Sequence, residues 1–352
     1  MELRIAVDLR TLLEPFESGV TVYTREMVRA LMNLPRIELD LFYQSSKKDP
    51  RIHQLFPKVR HIKHSNSKFH FRSLIKFPRL PLNFFEKTPD LIWIPDRRPF
   101  YRSKIPLVMT IHDLVPELYR TTLSIKGRVW HRIFPLRRLM NLCDAFITPS
   151  YTTSSKLKTK KRVEVAYEGA SLSKKMEKPK IAKQLKHPFF LVISPADPRK
   201  RLKWVIKMAK EFPRVNFLIA GYKKDDSRFS QQRVKKLKNL IFLGQFSEGE
   251  KLWLLKNTKA LLALSEYEGF DLPVLEAVRA KCSVIMSDIS VHRELYKTRE
   301  CFVTDLPELR AAIYRALHGN AKIPVPRGNY TWEAAAKRAS LFFRHVVVNK
   351  NR

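Results

Sequence analysis

Residues 260–288 read ALLALSEYEGFDLPVLEAVRAKCSVIMSD, which is an apolar run, a polar loop, an amphipathic stretch and a second apolar run. The apolar residues of Leu272–Ala280 recur with helical spacing, whereas Ala260–Ser265 and Ser283–Asp288 are short and mostly apolar. This order predicts a buried strand, a helix and a second strand parallel to the first. Such a unit is the building block of a doubly wound α/β sheet.

The same alternation continues along the rest of the chain, whose 352 residues are long enough for two domains. The other predicted strands are Arg4–Asp8, Glu38–Tyr43, Val59–His64, Asp90–Pro95, Leu107–His112, Ala145–Thr148, Val163–Tyr167, Phe189–Ser194, Val215–Gly221, Leu240–Gly244 and Cys301–Thr304. The other predicted helices are Tyr23–Asn33, Ile125–Asn141, Leu202–Phe212, Ser247–Lys256 and Pro307–Leu317. The sequence therefore predicts two Rossmann-like domains with parallel sheets.

A Lys-rich stretch with little periodicity, Ser171–Pro188, separates the two halves and is predicted to be a linker. A strong helical pattern closes the chain. The expected organisation is an N-terminal domain over 1–170, a linker over 171–188, a C-terminal domain over 189–330 and a terminal helix over 331–352. Two such domains leave a cleft, and ligands are expected at the strand ends that face it.

The charge balance is extreme, because 68 Lys and Arg against 33 Asp and Glu give a formal net charge of +35. Such a surplus indicates an anionic partner. Between Arg51 and Lys104 basic residues alternate with Phe, Leu and Ile, which is typical of a membrane interface. We therefore expect peripheral contact with anionic lipid. A solvated basic surface and single-stranded nucleic acid are the alternatives, although no nucleic-acid recognition motif is present.

Other features narrow the class of protein. No apolar run approaches the ~18 residues of a membrane span, and the first ten residues alternate like a strand. The three cysteines are far apart and in no metal-ligand spacing, which fits a reducing cytoplasm. The sequence has no Walker loop, no Gly-x-Gly-x-x-Gly and no Asp-x-Asp pair that would hold a metal against a sugar diphosphate.

Two carboxylates, Glu268 and Glu276, flank the start of the helix predicted in the opening stretch. Asp271 is a favoured N-cap residue and Pro273 suits a first turn, so the helix N-terminus would offer backbone N–H groups to an anion. Gly269 would let the backbone approach a ligand. Carboxylates accept hydrogen bonds from hydroxyl groups, so a sugar and a ribose are natural ligands. A capping acid and a surface acid on an ordinary helix would give the same pattern.

The segment from Glu268 to Glu276 resembles the Glu-x7-Glu motif of retaining GT-B glycosyltransferases, in particular family 4. Further segments resemble that family in the expected order along nearly the whole chain: Ser18–Leu31, Leu107–Leu118, Asp144–Leu157, Val192–Leu202 and Tyr330–Ala339. The resemblance implies a GT-B fold in which the C-terminal helix crosses back to the N-terminal domain. It also implies a cytoplasmic hexosyltransferase of cell-surface glycan synthesis, peripheral on the inner face of the plasma membrane.

The resemblance also implies roles for single residues. The donor would be a GDP- or UDP-linked mannose or glucose type sugar, the acceptor a saccharide or a lipid-linked saccharide, and no metal or cofactor would take part. Catalytic positions would be His112 near the transferred sugar, Glu268 on the donor sugar, and Arg199 and Lys200 on the diphosphate. Donor-binding positions would be Gly19, Gly269, Phe270, Asp271, Leu272 and Glu276, the last on the ribose. Acceptor-side positions would be Tyr23 and Asp113.

Each of these residues also has a structural interpretation. His112 fits a satisfied histidine at a strand end, Tyr23 fits helix packing, and Asp113 fits a cap. Arg199 and Lys200 fit a solvated basic turn. Several positions depart from the family pattern. Asp271 stands where Gly or Ser is frequent, Thr21 where a second Gly is frequent, Lys281 and Ser283 where Gly and Pro are common, and Ser194-Pro195 where a Gly-containing turn is usual. A non-catalytic GT-B partner subunit and a basic nucleic-acid-binding protein remain the alternative functions.

Overall fold

The computed structural model describes residues 2–15, 17–45, 47–57, 59, 61–65, 85–193, 197–221 and 237–350. Much of the basic stretch expected to contact lipid, 66–84, lies outside these residues, as does 194–196 of the basic loop. The chain divides into two compact units. Unit 1 comprises Met1–Gly169 and Tyr330–Arg352, and unit 2 comprises Ala170–Asn329.

Each unit contains one parallel sheet, as the apolar runs predict. The strands of unit 1 are β1 (Leu3–Asp8), β2 (Ile37–Gln44), β3 (His61–Ser65), β4 (Leu91–Ile94), β5 (Leu107–Thr110), β6 (Ala145–Thr148) and β7 (Arg162–Val165). Those of unit 2 are β8 (Phe189–Ile193), β9 (Asn216–Ala220), β10 (Leu240–Gly244), β11 (Leu261–Ala263), β12 (Val284–Ser287) and β13 (Phe302–Val303). Every predicted strand is present.

The strand order decides where each sheet can bind a ligand. The orders are β3-β2-β1-β4-β5-β6-β7 and β10-β9-β8-β11-β12-β13. In each sheet the strands are added first toward one edge and then toward the other. This switch point lies between β1 and β4 in unit 1 and between β8 and β11 in unit 2. The loops that leave the carboxyl ends of such neighbouring strands diverge to opposite faces, which opens a crevice for a ligand. These two points are therefore the places to look for a site.

The α-helices among the described residues follow most of the predicted ranges. Unit 1 contains α1 (Gly19–Met32), α2 (Pro50–Leu55), α3 (Val115–Leu118), α4 (Ile125–Ile133), α5 (Leu136–Met140), α6 (Tyr151–Lys156) and α12 (Trp332–Lys350). Unit 2 contains α7 (Leu202–Glu211), α8 (Glu248–Asn257), α9 (Leu272–Arg279), α10 (Ser290–Leu295) and α11 (Leu306–Leu317). No helix of the described residues is long and apolar enough to cross a membrane.

The short helices α2, α3, α6 and α10 were not predicted, and two longer segments differ from the prediction. The single helix expected over Ile125–Asn141 is two helices, because Pro135 has no backbone N–H and stands in extended conformation between them. The expected linker Ser171–Pro188 contains a 3-10 turn at Lys180–Gln184 and is bonded to unit 2. Its Glu177 accepts a hydrogen bond from Ser247 and donates its backbone N–H to Gly249. Charge and Pro content suggested a flexible linker, whereas these tertiary bonds fix it.

The terminal helix α12 packs on α1 within unit 1. The Trp332 ring meets Tyr23 edge-on with ring centroids 6.0 Å apart, and Phe343 lies 5.8 Å from Trp93. Gly169 makes room for the start of this helix, because a Cβ at that position would lie 2.3 Å from the backbone nitrogen of Trp332. A side chain there would push the backbone of α12 away from unit 1.

Candidate active site

Two loops meet at the switch point of the unit 2 sheet, between β8 and β11. The loop after β8 forms a 3-10 turn over Pro198–Lys200, and the loop after β11 runs to the start of α9. Arg199 joins them: its guanidinium donates to the carbonyl oxygen of Tyr267 over 2.7 Å, and its own carbonyl accepts from the backbone N–H of Glu266. The same guanidinium donates twice to Asp197. Arg199 is thus part of the scaffold of the site.

Lys200 and Glu268 form an ion pair across these loops. The Lys200 Nζ lies 2.5 Å from Glu268 Oε1, and their side chains are 15% and 14% exposed. Burial lowers the pKa of Lys200, but the charges of Glu268 and Asp271 outweigh it and leave that pKa raised. Lys200 therefore stays cationic at any physiological pH. Both side chains keep some solvent exposure, so a ligand can reach them.

Glu276 has a lysine partner too, and sequence reasoning missed it. The Lys251 Nζ on α8 donates to Glu276 Oε1 on α9 over 2.7 Å, and each side chain is only 8% exposed. Lys251 also contacts Glu248 Oε1 at 2.9 Å. Burial lowers the pKa of Lys251, and Glu276 and Glu248 outweigh that effect and raise it. One signal was available, because Lys251 precedes Leu254 and Leu255 by three and four residues, which puts it on the core-facing side of α8.

Asp271 occupies the N-cap position of α9, as expected, but its side chain makes no capping hydrogen bond. Its φ of 72° is left-handed, which fits a position where the family often has Gly. The carboxylate turns instead to the buried His292 on α10, with 3.0 Å between Oδ2 and Nε2, and the other ring nitrogen donates to Ser287 O. Burial raises the pKa of Asp271, and Lys200 and His292 lower it by more. Asp271 is therefore a buried anion.

The loop residues around Glu268 are more buried than the sequence suggested. Gly269 and Phe270 are buried, Phe270 being 3% exposed, and Leu272 is 8% exposed. A narrow cavity lies beside them, lined by Lys200, Ser265, Asp271 and Pro273 with apolar residues of β8 and β11. Gly269, Phe270 and Leu272 thus form the buried part of the loop between β11 and α9. Their backbone is close to Lys200 and Glu268.

In unit 1, His112 follows β5 and both its ring nitrogens face acceptors. Nε2 lies 2.8 Å from the carbonyl oxygen of Pro95, and Nδ1 lies 3.2 Å from Glu168 Oε1. Because a carbonyl only accepts, Nε2 must carry a proton. Burial lowers the pKa of His112, and the hydrogen bond and charge of Glu168 outweigh burial and raise it. Glu168, which follows β7, was not predicted from the sequence.

The two residues expected on the acceptor side have structural contacts. Tyr23 is 1% exposed, its hydroxyl lies 3.3 Å from Thr110 Oγ1, and its ring meets His112 edge-on. A buried ring of this kind packs the sheet and does not present its hydroxyl to an acceptor, which corrects that expectation. Asp113 precedes the N-cap residue of α3 and accepts a hydrogen bond from the backbone N–H of Val115, the first residue of that helix.

Gly19 is the first residue of α1, and its neighbours cap that helix. Ser18 accepts from the backbone N–H of Thr21, and Thr21 accepts from that of Ser18. Gly19 itself is exposed. The exposed backbone therefore leaves room for the close approach that the sequence predicted at this position.

A charged cluster that was not predicted lies at the switch point of the unit 1 sheet, between β1 and β4. Asp8 ends β1 and binds Arg10, while Asp96 follows β4 and binds Arg98, which also reaches Glu14. Asp8 is only 2% exposed. Burial raises the pKa of Asp96. Nothing in the local sequence distinguishes these acids, because the strand order alone brings Asp8 and Asp96 together.

Comparison with known families agrees with the fold. A model described as glycosyltransferase family 4 matches residues 18–174, and one described as glycosyl transferases group 1 matches residues 173–323. The O-antigen chain mannosyltransferase RfbU of Salmonella typhimurium is 29% identical over 212 residues, 56% of this chain. The matched region spans 58% of that protein's length.

Solved structures with the same fold cover almost the whole chain. Sucrose-phosphate synthase from Thermosynechococcus elongatus aligns with a TM-score of 0.63 at 15% identity, over 99% of this chain and 97% of that one. Anabaena HepE in complex with UDP-glucose aligns with a TM-score of 0.61 at 16% identity, over 99% and 97%. Both family models and two Rossmann-like parallel sheets thus agree, and the chain belongs to the group 1, family 4 glycosyltransferases with the GT-B fold.

Proposed function

We propose that this chain transfers a hexosyl group from a nucleotide-diphosphate sugar to a saccharide or lipid-linked saccharide, with retention of configuration and without a metal ion. The observation that carries the proposal is the Lys200–Glu268 pair beside the N-terminus of α9. A cation, a carboxylate and the positive end of a helix dipole within one loop cluster suit a diphosphate attached to a sugar.

In this proposal Lys200 is the main cation for the departing diphosphate. Glycosyl transfer has an oxocarbenium-like transition state, and a fixed positive charge near the leaving group stabilises it. Arg199 is committed to Asp197 and Tyr267, so we assign it to holding the two loops together. Lys200 has three N–H donors and can contact phosphate while it keeps its bond to Glu268.

The carboxylates share the recognition of the donor. Glu268 accepts hydrogen bonds from hydroxyls of the sugar, and Glu276 accepts them from the ribose. Backbone around Gly269–Leu272 lines the sugar and phosphate. The acceptor hydroxyl attacks the anomeric carbon from the face that the diphosphate leaves, the bond from that carbon to the diphosphate breaks, and a phosphate oxygen takes the hydroxyl proton. We assign the acceptor to unit 1, where His112 is the polar residue held for the reacting sugar. The exposed backbone at Gly19 is assigned to the donor diphosphate.

The match to RfbU makes GDP-mannose the first donor to test, and UDP-glucose the second. The experiment measures transfer of radiolabelled sugar to a saccharide or lipid-linked saccharide acceptor fraction. Glu268→Gln is expected to abolish transfer, whereas Glu266→Gln, an exposed acid two residues earlier, is the matched control and should keep it. Transfer that survives Glu268→Gln, or no transfer from any nucleotide sugar, would contradict the proposal.

We also propose peripheral attachment to the cytoplasmic face of an anionic membrane. Beside the net charge of +35, support comes from α3 and α4, where Leu118, Ile125 and Val129 are 49%, 73% and 52% exposed among Lys126 and Arg128. Sedimentation with vesicles that contain phosphatidylglycerol should carry the chain down at low salt and release it at high salt. Ile125→Glu should weaken binding, while Leu341→Glu, at an exposed Leu of α12, should not.

A further inference from the structure

Lys251 is out of place for a residue that only stabilises the fold. It lies on the core-facing side of α8, three and four residues before the buried Leu254 and Leu255, and it is 7% exposed. Lysine is rarely buried unless it is paired. Here both its partners, Glu248 and Glu276, are acidic, and the latter is the second acid of the Glu-x7-Glu motif.

Stability alone does not explain this choice. Removing a lysine and a glutamate from water costs several kcal/mol for each ion, and an apolar pair of similar volume is often as stable or more so. The pair is also specific in geometry, since one oxygen of Glu276 accepts the ammonium hydrogen bond at 2.7 Å. The arrangement thus keeps a charged carboxylate in a place where a lone one would take up a proton.

We propose that Lys251 is a positioning residue for donor recognition, holding the Glu276 carboxylate ionised and in one orientation so that it accepts hydrogen bonds from the ribose hydroxyls. This role rests on the proposed function, in which Glu276 binds the ribose. A carboxylate has about four lone-pair sites. The hydrogen bond from Lys251 occupies one of these sites, on Oε1. Glu248, whose side chain is 39% exposed, balances the remaining charge of Lys251.

The test compares nucleotides that differ in one hydroxyl. Binding of GDP, UDP and their 2′-deoxy forms is measured by calorimetry for the wild type, Lys251→Met, Lys251→Arg and Lys256→Met. The last changes an exposed lysine of the same helix and is the matched control. The wild type should prefer one ribonucleotide over its 2′-deoxy form. Lys251→Met should lower the affinity for that ribonucleotide by about tenfold, which corresponds to ~1.4 kcal/mol, and abolish the preference over the 2′-deoxy form.

Lys251→Arg should retain the preference, and Lys256→Met should bind like the wild type. With the sugar donor, Lys251→Met should raise KM more than it lowers kcat, because the ribose contact is weakened while the groups at the reacting sugar are unchanged. A helix-pinning role would lower stability without changing the choice between ribose and deoxyribose. Lys251→Gln, which keeps the length and an N–H donor but not the charge, should give an intermediate loss of preference if Lys251→Met does not fold.

Two contrary results are distinguishable. A folded Lys251→Met or Lys251→Gln chain that keeps the ribose preference overturns the role of Lys251 and leaves the proposed function intact. A wild-type chain that binds neither GDP nor UDP, nor transfers sugar from any donor, overturns the proposed function, and the role of Lys251 with it.

Discussion

The two acids of the motif each have a lysine, but the two pairs differ in solvent exposure. Lys200 and Glu268 belong to loops and keep 15% and 14% of their side chains exposed. Lys251 and Glu276 join two helices and keep 8% each. Both pairs are largely buried, but a pair carried by loops can exchange a partner for a ligand more readily than a pair held between two packed helices. We therefore infer that Lys200 and Glu268 contact the diphosphate and the transferred sugar, whereas Lys251 holds Glu276 in one position toward the ribose.

The largest effect should come from breaking the buried pair. Glu276→Leu puts an apolar side chain against the Lys251 ammonium and leaves it only the half-exposed Glu248 as a partner. The expected loss in the free energy of unfolding is about 3 kcal/mol, at the low end of the range for breaking a buried pair. Urea titration measures it. The double variant Glu276→Leu/Lys251→Met should recover most of the stability while sugar transfer stays absent. A double variant no more stable than Glu276→Leu would show that the pair is not coupled.

Changing the Lys200–Glu268 pair should lower the rate of sugar transfer more than it lowers the free energy of unfolding. Lys200→Met removes the cation proposed for the leaving diphosphate, and kcat should fall by about 10²–10³, the range for loss of one group that stabilises transition-state charge. Lys203→Met, at an exposed lysine three residues later, is the control. Initial rates at saturating donor measure both. If kcat of Lys200→Met stays near the wild-type value, Lys200 does not act on the leaving group.

His112 and Glu168 offer the same comparison in unit 1, with a cation that titrates. Since the folded pKa of His112 is raised above its unfolded value of ~6.5, the pair stabilises the fold below that pH. The stabilisation disappears as pH rises through the folded pKa. Glu168→Gln should lower stability by about 1–3 kcal/mol at acidic pH and by less at alkaline pH. Urea titrations across pH 5–9 measure it, with Asp113→Asn as the control. A difference between wild type and Glu168→Gln that does not vary with pH would contradict the assignment.

The smallest effect concerns the helix that carries Glu276. Lys281 is exposed, follows the C-cap of α9 and has a φ of 58°, which is strained for any residue with a Cβ. Lys281→Gly should raise the free energy of unfolding by about 1 kcal/mol and leave sugar transfer unchanged. Thermal unfolding and an activity assay check this. Asp271→Gly is the contrast: it relieves a φ of 72° but removes the partner of His292, so it should not stabilise the fold.

Local sequence predicted most strands because they are short apolar runs buried on both faces of a parallel sheet, although the edge strands β3 and β7 are mixed in polarity. It predicted most helices for the same reason, and failed at Ile125–Asn141, where the effect of Pro135 outweighed the continuing helical spacing. The departures at Asp271 and Lys281 were visible in sequence. Both residues have a left-handed backbone, which explains why glycine is frequent at these positions in the family.

The partners of the site residues could not be predicted in the same way. Lys251 is 25 positions from Glu276, Glu168 is 56 from His112, and His292 is 21 from Asp271. Each pair forms between different elements of one unit, and local spacing within an element cannot indicate them. Tyr23 is the converse case, because helical spacing permitted either burial or contact with an acceptor, and packing against β5 decided for burial.

The sequence by itself determined the two parallel sheets and the Glu-x7-Glu motif, since burial periodicity and a contiguous motif are local properties of the chain. The tertiary structure decided which cation meets which carboxylate. Those pairings depend on strand order and helix packing, which bring residues far apart in sequence within hydrogen-bond distance. The +35 charge illustrates the same division: its size is a property of the composition, whereas the pairing of Lys200 and Lys251 with motif acids is a property of the fold.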